Sequence, residues 1–368
     1  MKIIITYASA GAGHYKAAEA IRESLLNSCS HEDEIIICDA LKLSKGYFSL
    51  SYVKIYDFLV RHASWIWGIT FWLTSRRAIA AIMQAIGVYL DRYGSRSFLK
   101  FLKKEEADWI ISTHFLPSRI AAWLKKHNLI RSKLITVITD YGVHPFWINQ
   151  DTDFYAVATE RTKKQLLHWG ISDKNIVITG IPVSAKFWQH PARKDLAEKL
   201  DIHYNSFTVL LCTGSFGIGP LEKIAEKLWP DVQVLVVCAS NQKLYRTLIL
   251  KDYPRTKVFS FVSNMHELMS VSDMIVTKPG GMTITELLAK NIIPVFISPI
   301  PGQETENLRV FNELGIGSFA SNEDDVAKIV SKYRHTPKLL TDAKNHILAI
   351  QMEINKELLL NVIRTNHI

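Results

Sequence analysis

The sequence predicts an α/β protein built from two doubly wound, Rossmann-like halves. Short β-branched runs alternate with amphipathic patterns along most of the 368 residues, which is the grammar of βαβ units and parallel sheets. The length suits two domains better than one. The alternation breaks once, after Ile181-Pro182-Val183, at the charged stretch QHPARKDLAEKLDIHYNS, and then restarts.

In the first half, strands are expected at 3–7, 35–38, 109–112, 134–138, 154–158 and 176–178, with helices at 118–126 and 160–169. In the second half, strands are expected at 207–212, 234–238, 258–259, 274–276 and 295–297. Helices follow them at 220–228, 241–250, 265–271, 283–290 and 304–314, and the last ~45 residues read as wholly helical. The expected domains are 1–185 and 186–350, with a final helix of about 350–368 returning to the first. The two halves are expected to face each other across a cleft, where strand-to-helix turns meet ligands.

Composition narrows the function. With 48% hydrophobic and 21% charged residues, two cores can be buried and disorder is excluded. Cys29, Cys38, Cys212 and Cys238 form no closely spaced pair. That speaks against a zinc site or a disulfide framework and fits a reducing cytoplasm. Lys2 is followed only by a short strand-like run, so no signal peptide is expected.

The net charge of +9 is concentrated. Residues 61–104 hold eight basic residues, one acid (Asp91) and eight aromatics, among them Trp65, Trp67 and Trp72 near Arg76 and Arg77. Basic and aromatic residues together suit an anionic membrane surface. They also suit single-stranded nucleic acid, but the long aliphatic run AIAAIMQAIGVYL favours lipid. No apolar run reaches the ~20 residues of a spanning helix. The expectation is therefore peripheral attachment to the inner face of the cell membrane, with no nucleic-acid partner. A competing reading places Ile79, Ile82, Ile86 and Leu90, which share helical spacing, in the protein core.

The turn SAGAGHYKAA lies between the first strand and a helix. A helix N-terminus at that edge suits an anion, and His14 stands at its mouth. The turn lacks the third glycine of a dinucleotide fingerprint, although Asp39 stands where an NAD-binding fold would keep its ribose acid. Gly11 and Gly13 could also be no more than a tight turn. In the second half, CTGSFGIGP and TKPGGMTITELLA can cradle phosphates through backbone amides, with Ser215 and Thr283 as hydroxyl donors. Glu286 is one turn along and could hold a ribose diol. PIPGQETENLRVF groups Gln303, Glu304 and Asn307, side chains suited to sugar hydroxyls. Together these features call for a nucleoside-diphosphate sugar.

The stretches SAGAGHYKAAEAI, ITDYGVHPFW, VATERTKKQLLHWGI, ITGIPV, FVSNMHELM, KPGGMTITE and PGQETEN carry a resemblance over nearly the whole chain. The sequence resembles the glycosyltransferase family of plant monogalactosyldiacylglycerol synthase and bacterial processive diacylglycerol glucosyltransferases. It is more distantly similar to the peptidoglycan enzyme that adds N-acetylglucosamine to lipid I. The resemblance implies a GT-B fold and inverting hexosyl transfer from a UDP-sugar to a membrane lipid alcohol such as diacylglycerol. It implies uracil at Phe261, Val262 and Met265, ribose at Glu286, diphosphate at Ser215 and the Gly281–Thr283 turn, and hexose at Gln303 and Glu304; Gly13, Gly280 and Asn307 are further candidate donor contacts. Met282 departs from the smaller residue of the plant turn. The family's histidine turn falls on Gly11, Gly13 and His14.

For catalysis, either His14 is the base, oriented by a neighbouring acid, or Asp140 is the base and His14 binds phosphate or acceptor. His144, Trp65, Trp67, Trp72, Arg76 and Arg77 are expected to face acceptor and membrane. No cofactor and no metal are expected, because the UDP-sugar is a substrate and no DxD-like pair is present. Transfer of N-acetylglucosamine to a polyprenyl-linked acceptor, a UDP-sugar epimerase and a non-catalytic UDP-sugar sensor are the alternatives.

Overall fold

The computed structural model describes residues 1–28, 32–215, 217–354 and 357–365, with the side chains of 56, 60 and 61 outside the description. The chain divides into two compact units. The first gathers Met1–Ala185, Ile300–Glu306 and Glu353–Ile368, and the second gathers Lys186–Pro299 and Asn307–Met352.

The first unit holds a six-stranded parallel sheet: β1 (Lys2–Tyr7), β2 (Glu34–Asp39), β3 (Trp109–Ser112), β4 (Lys133–Val137), β5 (Phe154–Val157) and β6 (Ile176–Ile178). Its order is β2-β1-β3-β4-β5-β6, so the chain reverses direction across the sheet between β1 and β3. In such sheets the crevice at the reversal, outside the carboxyl ends of the strands, is where ligands sit. Ile3, Ile4 and Ile5 of β1 are fully buried, as expected of a strand covered by helices on both faces. The helix Leu358–Thr365 supplies Leu359, Val362 and Ile363 to the core beneath β1, with Ile21 and Leu25 of the helix Ala12–Leu26. Of the expected final helix of about 350–368, residues 350–353 instead end the helix Pro337–Glu353, and residues 355–356 and 366–368 lie outside the described residues, as does Cys29.

Four helices fill the long crossover from β2 to β3: Gly46–His62, Ser64–Thr74, Arg77–Gly94 and Arg96–Glu105. The third of these is anchored by a buried ion pair, in which Arg119 donates to Oδ2 of Asp91 through Nε at 2.9 Å and through a terminal nitrogen at 2.7 Å. Among the described residues no helix is long and apolar enough to cross a membrane.

The second unit repeats the plan with β7 (Thr208–Cys212), β8 (Gln233–Val237), β9 (Thr256–Phe259), β10 (Met274–Thr277), β11 (Ile293–Phe296) and β12 (Ser318–Phe319). The order is β12-β11-β10-β7-β8-β9, all parallel, which puts the reversal between β7 and β10. The two-residue β12 was not expected, because so short a strand shows no periodicity. The charged stretch after residue 188 forms the helix Arg193–Lys199, where Arg193 donates to both carboxylate oxygens of Asp273 at 2.8 and 2.9 Å. Cys38, Cys212 and Cys238 are buried thiols outside any disulfide among the described residues.

Candidate active site

In the first unit, three loops at the carboxyl edge converge on His14. The histidine follows β1 in the first turn of the helix Ala12–Leu26, a helix with no side-chain cap at its N-terminus. Its Nδ1 lies 2.8 Å from the Thr113 carbonyl oxygen, after β3, and 3.0 Å from the Thr139 hydroxyl, after β4. A carbonyl can only accept, so Nδ1 carries the proton and Nε2 keeps the lone pair. The Thr113 hydroxyl closes the arrangement by donating to the His14 carbonyl at 2.9 Å. Desolvation of the half-buried ring lowers the pKa of His14 to about 4, against the opposing pull of the Thr113 carbonyl. His14 is therefore a neutral imidazole of fixed tautomer at physiological pH, with Nε2 unprotonated. Its orienting partners are a carbonyl and a hydroxyl, where the sequence suggested an acid. Asp140 is half-buried one residue beyond Thr139.

His114 is a residue that sequence reasoning missed. It is buried, and its ring centroid lies 4.5 Å from that of His14 at 80°. Its Nδ1 accepts the Leu116 amide at 3.0 Å, which puts the proton of the neutral ring on Nε2. Burial first, then the charges of His14 and Arg119, holds its pKa well below the usual histidine range. Phe115 stacks on it at 4.2 Å, and Trp147 packs 6.2 Å from His14. The available signal was position: His114 follows β3 at the same sheet edge as His14.

Two residues expected at the site have internal roles. Asp39 Oδ1 accepts the Leu41 and Ser9 amides at 3.0 and 3.3 Å, tying the ends of β1 and β2 together. Its Oδ2 is buried without a hydrogen-bond partner among the described residues. His144, placed with the acceptor-facing residues by sequence, is instead inside the unit. Its Nδ1 accepts the Phe146 amide at 3.3 Å, and its Nε2 lies 3.1 Å from the Thr74 hydroxyl and 3.4 Å from the Phe71 carbonyl. Burial lowers its pKa to about 4, so it is a neutral clamp on the helix Ser64–Thr74.

Of the residues expected to face the membrane, Trp65, Trp72, Arg76 and Arg77 are exposed. Trp65 and Trp72 are 67% and 58% exposed, and Arg76 stacks on the Trp72 ring at 4.0 Å. Arg77 lies over the Trp169 ring at 5.3 Å, and Trp67 is half-buried. On the helix Arg77–Gly94, Ile82, Ile86 and Leu90 are 62%, 47% and 52% exposed. The core reading of that stripe is therefore wrong for these three residues, because this helix is covered from its other side by the Asp91–Arg119 pair.

In the second unit, the glycine turn after β7 and the Pro279-Gly280 turn after β10 flank the reversal between those strands. Gly217 has φ 59°, and a β-carbon there would strike the Cys238 carbonyl. Ser215 is exposed, and its carbonyl accepts the Ser240 hydroxyl at 2.9 Å. Thr213, at the start of that turn, has a buried hydroxyl with no hydrogen-bond partner among the described residues. It is a second candidate that sequence reasoning passed over. Gly280 caps the helix Gly281–Ala289 without a side-chain hydrogen bond; Gly281 and Met282 are buried at its start and Thr283 is half-buried. Glu286 is buried on the same helix. Phe261, beyond β9, presents an exposed ring beside half-buried Val262 and Met265.

Gln303 and Glu304 begin the helix Gln303–Glu313, and Glu304 Oε2 accepts the Ile300 amide at 2.7 Å. Asn307 is fully buried and donates to the Pro279 carbonyl at 3.0 Å. It holds the turn before the Gly281–Ala289 helix, where the sequence suggested contact with sugar hydroxyls.

The fold and these two sheet-edge sites define the class: a two-unit α/β protein of the GT-B glycosyltransferase type. Residues 14–183 match the family described as monogalactosyldiacylglycerol (MGDG) synthase, and residues 218–346 match the glycosyltransferase family 28 C-terminal domain. The chain belongs to this monogalactosyldiacylglycerol synthase and processive diacylglycerol glucosyltransferase family, within glycosyltransferase family 28. It is 32% identical over 255 residues to a processive diacylglycerol β-glucosyltransferase of Staphylococcus epidermidis, covering 67% of this chain and 64% of that one. Against the enzyme of the same name from Staphylococcus haemolyticus it is 31% identical over 271 residues, covering 72% and 66%. The match thus spans just under two thirds of these relatives.

Among solved structures, the glycotransferase of kitacinnamycin superposes with a TM-score of 0.65 at 12% identity, covering 100% of this chain and 99% of that one. Acinetobacter baumannii MurG gives 0.59 at 13%, covering 99% of each. UDP-GlcNAc 2-epimerase from Neisseria meningitidis gives 0.60 at 12%, covering 100% of each. At these identities the likeness is one of fold alone.

Proposed function

We propose that the protein transfers a hexose from a UDP-sugar to the hydroxyl of diacylglycerol, with inversion at the anomeric carbon. The observation that carries this reading is His14, a neutral imidazole whose Nε2 lone pair is fixed by the Thr113 carbonyl at the reversal point of the first sheet. His14 Nε2 takes the proton of the acceptor hydroxyl as that oxygen attacks the anomeric carbon. The bond from that carbon to UDP breaks, and the UDP leaves with its electron pair. Asp140 is the alternative base.

In the second unit, uracil stacks at Phe261 with Val262 and Met265, and Glu286 holds the ribose. The diphosphate sits against the amides at Gly280, Gly281, Met282 and Thr283, with the hydroxyls of Ser215 and Thr213. Gln303 and Glu304 read the hexose. Helix N-termini and hydroxyls meet the departing charge, so the reaction needs neither metal nor cofactor. Trp65, Trp72, Arg76 and the Ile82–Leu90 stripe dock on an anionic lipid surface, which presents the acceptor from the inner face of the membrane. An epimerase shares the fold but has no use for that exposed aromatic face.

The test is incubation with UDP-glucose, UDP-galactose or UDP-N-acetylglucosamine and vesicles containing diacylglycerol or a polyprenyl-linked acceptor. Mass spectrometry then identifies the glycolipid. A hexosyl-diacylglycerol is expected; a glycosylated polyprenyl lipid alone, or an isomerised UDP-sugar with no lipid product, rejects the reading.

A further inference from the structure

Residues 300–306, which carry Gln303 and Glu304, are gathered into the first unit and lie against the helix Ser64–Thr74. Two close approaches define the seat. A β-carbon at Gly68 would stand 2.8 Å from that of Pro301, and one at Gly302 would stand 2.6 Å from Cγ of Phe71. Gly302 also has φ 92°, so the chain turns over the Phe71 ring at a residue with no side chain to collide. On another side, a β-carbon at Gly142 would stand 3.0 Å from Glu306. Phe71 is itself wedged, with its ring centroid 4.4 Å from that of His144.

The helix Ser64–Thr74 therefore has two working faces. Gly68, Phe71 and Thr74, spaced by three, face inward to Pro301, Gly302 and His144. Trp65, Ile69 and Trp72 are exposed on the outside. A helix of 11 residues is a rod about 16 Å long. Packed interiors transmit displacement rather than absorb it, so a shift of the outer face is felt at the inner one.

We infer that Phe71 is a positioning residue for the hexose-reading segment, and that seating Trp65 and Trp72 in a lipid surface strengthens UDP-hexose binding through the Phe71–Gly302 contact. This rests on the function proposed above, in which Gln303 and Glu304 touch the hexose. A lipid surface that favours one seating of the helix raises donor affinity by its preference for that seating. UDP without a sugar does not reach the segment, so its affinity stays the same.

The test uses calorimetry on the full chain with UDP-glucose, UDP-galactose and UDP, with and without anionic vesicles free of diacylglycerol, so that no transfer occurs. Vesicles are expected to raise UDP-hexose affinity by about fivefold or more and to leave UDP unchanged. Phe71→Ala is expected to co-sediment with vesicles as the wild type does but to lose that gain. Gly68→Ala, which favours the helix intrinsically but displaces Pro301, is expected to weaken UDP-hexose with or without vesicles while UDP binding is kept.

Wild-type protein that binds neither UDP-hexose nor vesicles rejects the proposed function. Wild-type protein that binds both independently rejects the coupling alone. A full vesicle gain in Phe71→Ala, or unchanged UDP-hexose affinity in Gly68→Ala, also overturns the coupling. If Phe71→Ala does not fold, Gly68→Ala decides.

Discussion

The ring of His114 meets the ring of His14 edge-on at 80°, with centroids 4.5 Å apart. The two histidines follow adjacent parallel strands, and each is held in one tautomer by main-chain atoms: Thr113 O for His14 and Leu116 N for His114. The pair is thus a packed neutral unit in which His14 Nε2 keeps its lone pair.

That imidazole titrates low. With His14 at about 4, the neutral form persists down through pH 5. The kcat/KM profile is expected to stay flat from about pH 5.5 to 8 and to fall only as pH drops toward 4, whereas an unshifted imidazole would lose activity from near 7. His14→Ala is expected to lower kcat by about 10²–10⁴. Stability follows the same sign. The unfolded chain takes up protons near 6.5 while folded His14 and His144 do not until about 4. Stability is therefore full above 6.5 and is lost as pH falls from 6.5 to 4. Thermal unfolding across that window checks this, and His144→Gln should flatten part of the slope.

His114 can be separated into packing and capping. His114→Phe keeps a ring against Phe115 but leaves the buried Leu116 amide without its acceptor, at a cost of about 1–3 kcal/mol. His114→Asn restores a capping oxygen and should recover most of that stability. Both variants should turn over more slowly than wild type, because the wall beside His14 is altered. Urea unfolding alongside kcat measures the two effects, and wild-type turnover in both would remove His114 from the site.

Asn307 separates a structural role from sugar reading. Loss of its hydrogen bond to the Pro279 carbonyl in Asn307→Ala should destabilise the protein by about 1–3 kcal/mol and weaken UDP as well as UDP-hexose. The preference between UDP-glucose and UDP-galactose should not change. Binding competition reads that ratio, and a switched preference would return Asn307 to the hexose contacts.

Ile86 tests the outward stripe. At 47% exposure, Ile86→Asp should alter stability by no more than about 0.5 kcal/mol yet weaken co-sedimentation with anionic vesicles. Wild-type co-sedimentation should itself fall as salt rises. A loss of about 2 kcal/mol or more, the mark of a core site, would contradict the exposed placement.

The sequence by itself determined the order of β1 to β11 and of the helices that follow β7 to β11, the place where the fold restarts, and the glycine turns at the sheet edges. These follow from composition and spacing within a few residues: β-branched runs are buried strands, and glycine before a helix opens its amides. Only the tertiary structure decided which faces are covered. It brought Thr113, His114 and Thr139 onto His14 from strands far apart in the chain, and it put His144 and Asn307 to work on internal backbone groups. It also turned Ile82, Ile86 and Leu90 outward and drew residues 300–306 onto the helix Ser64–Thr74. Helical spacing shows that a face is apolar but not what covers it, and a histidine's free nitrogen is set by whichever distant carbonyl or amide the packing brings to the other one.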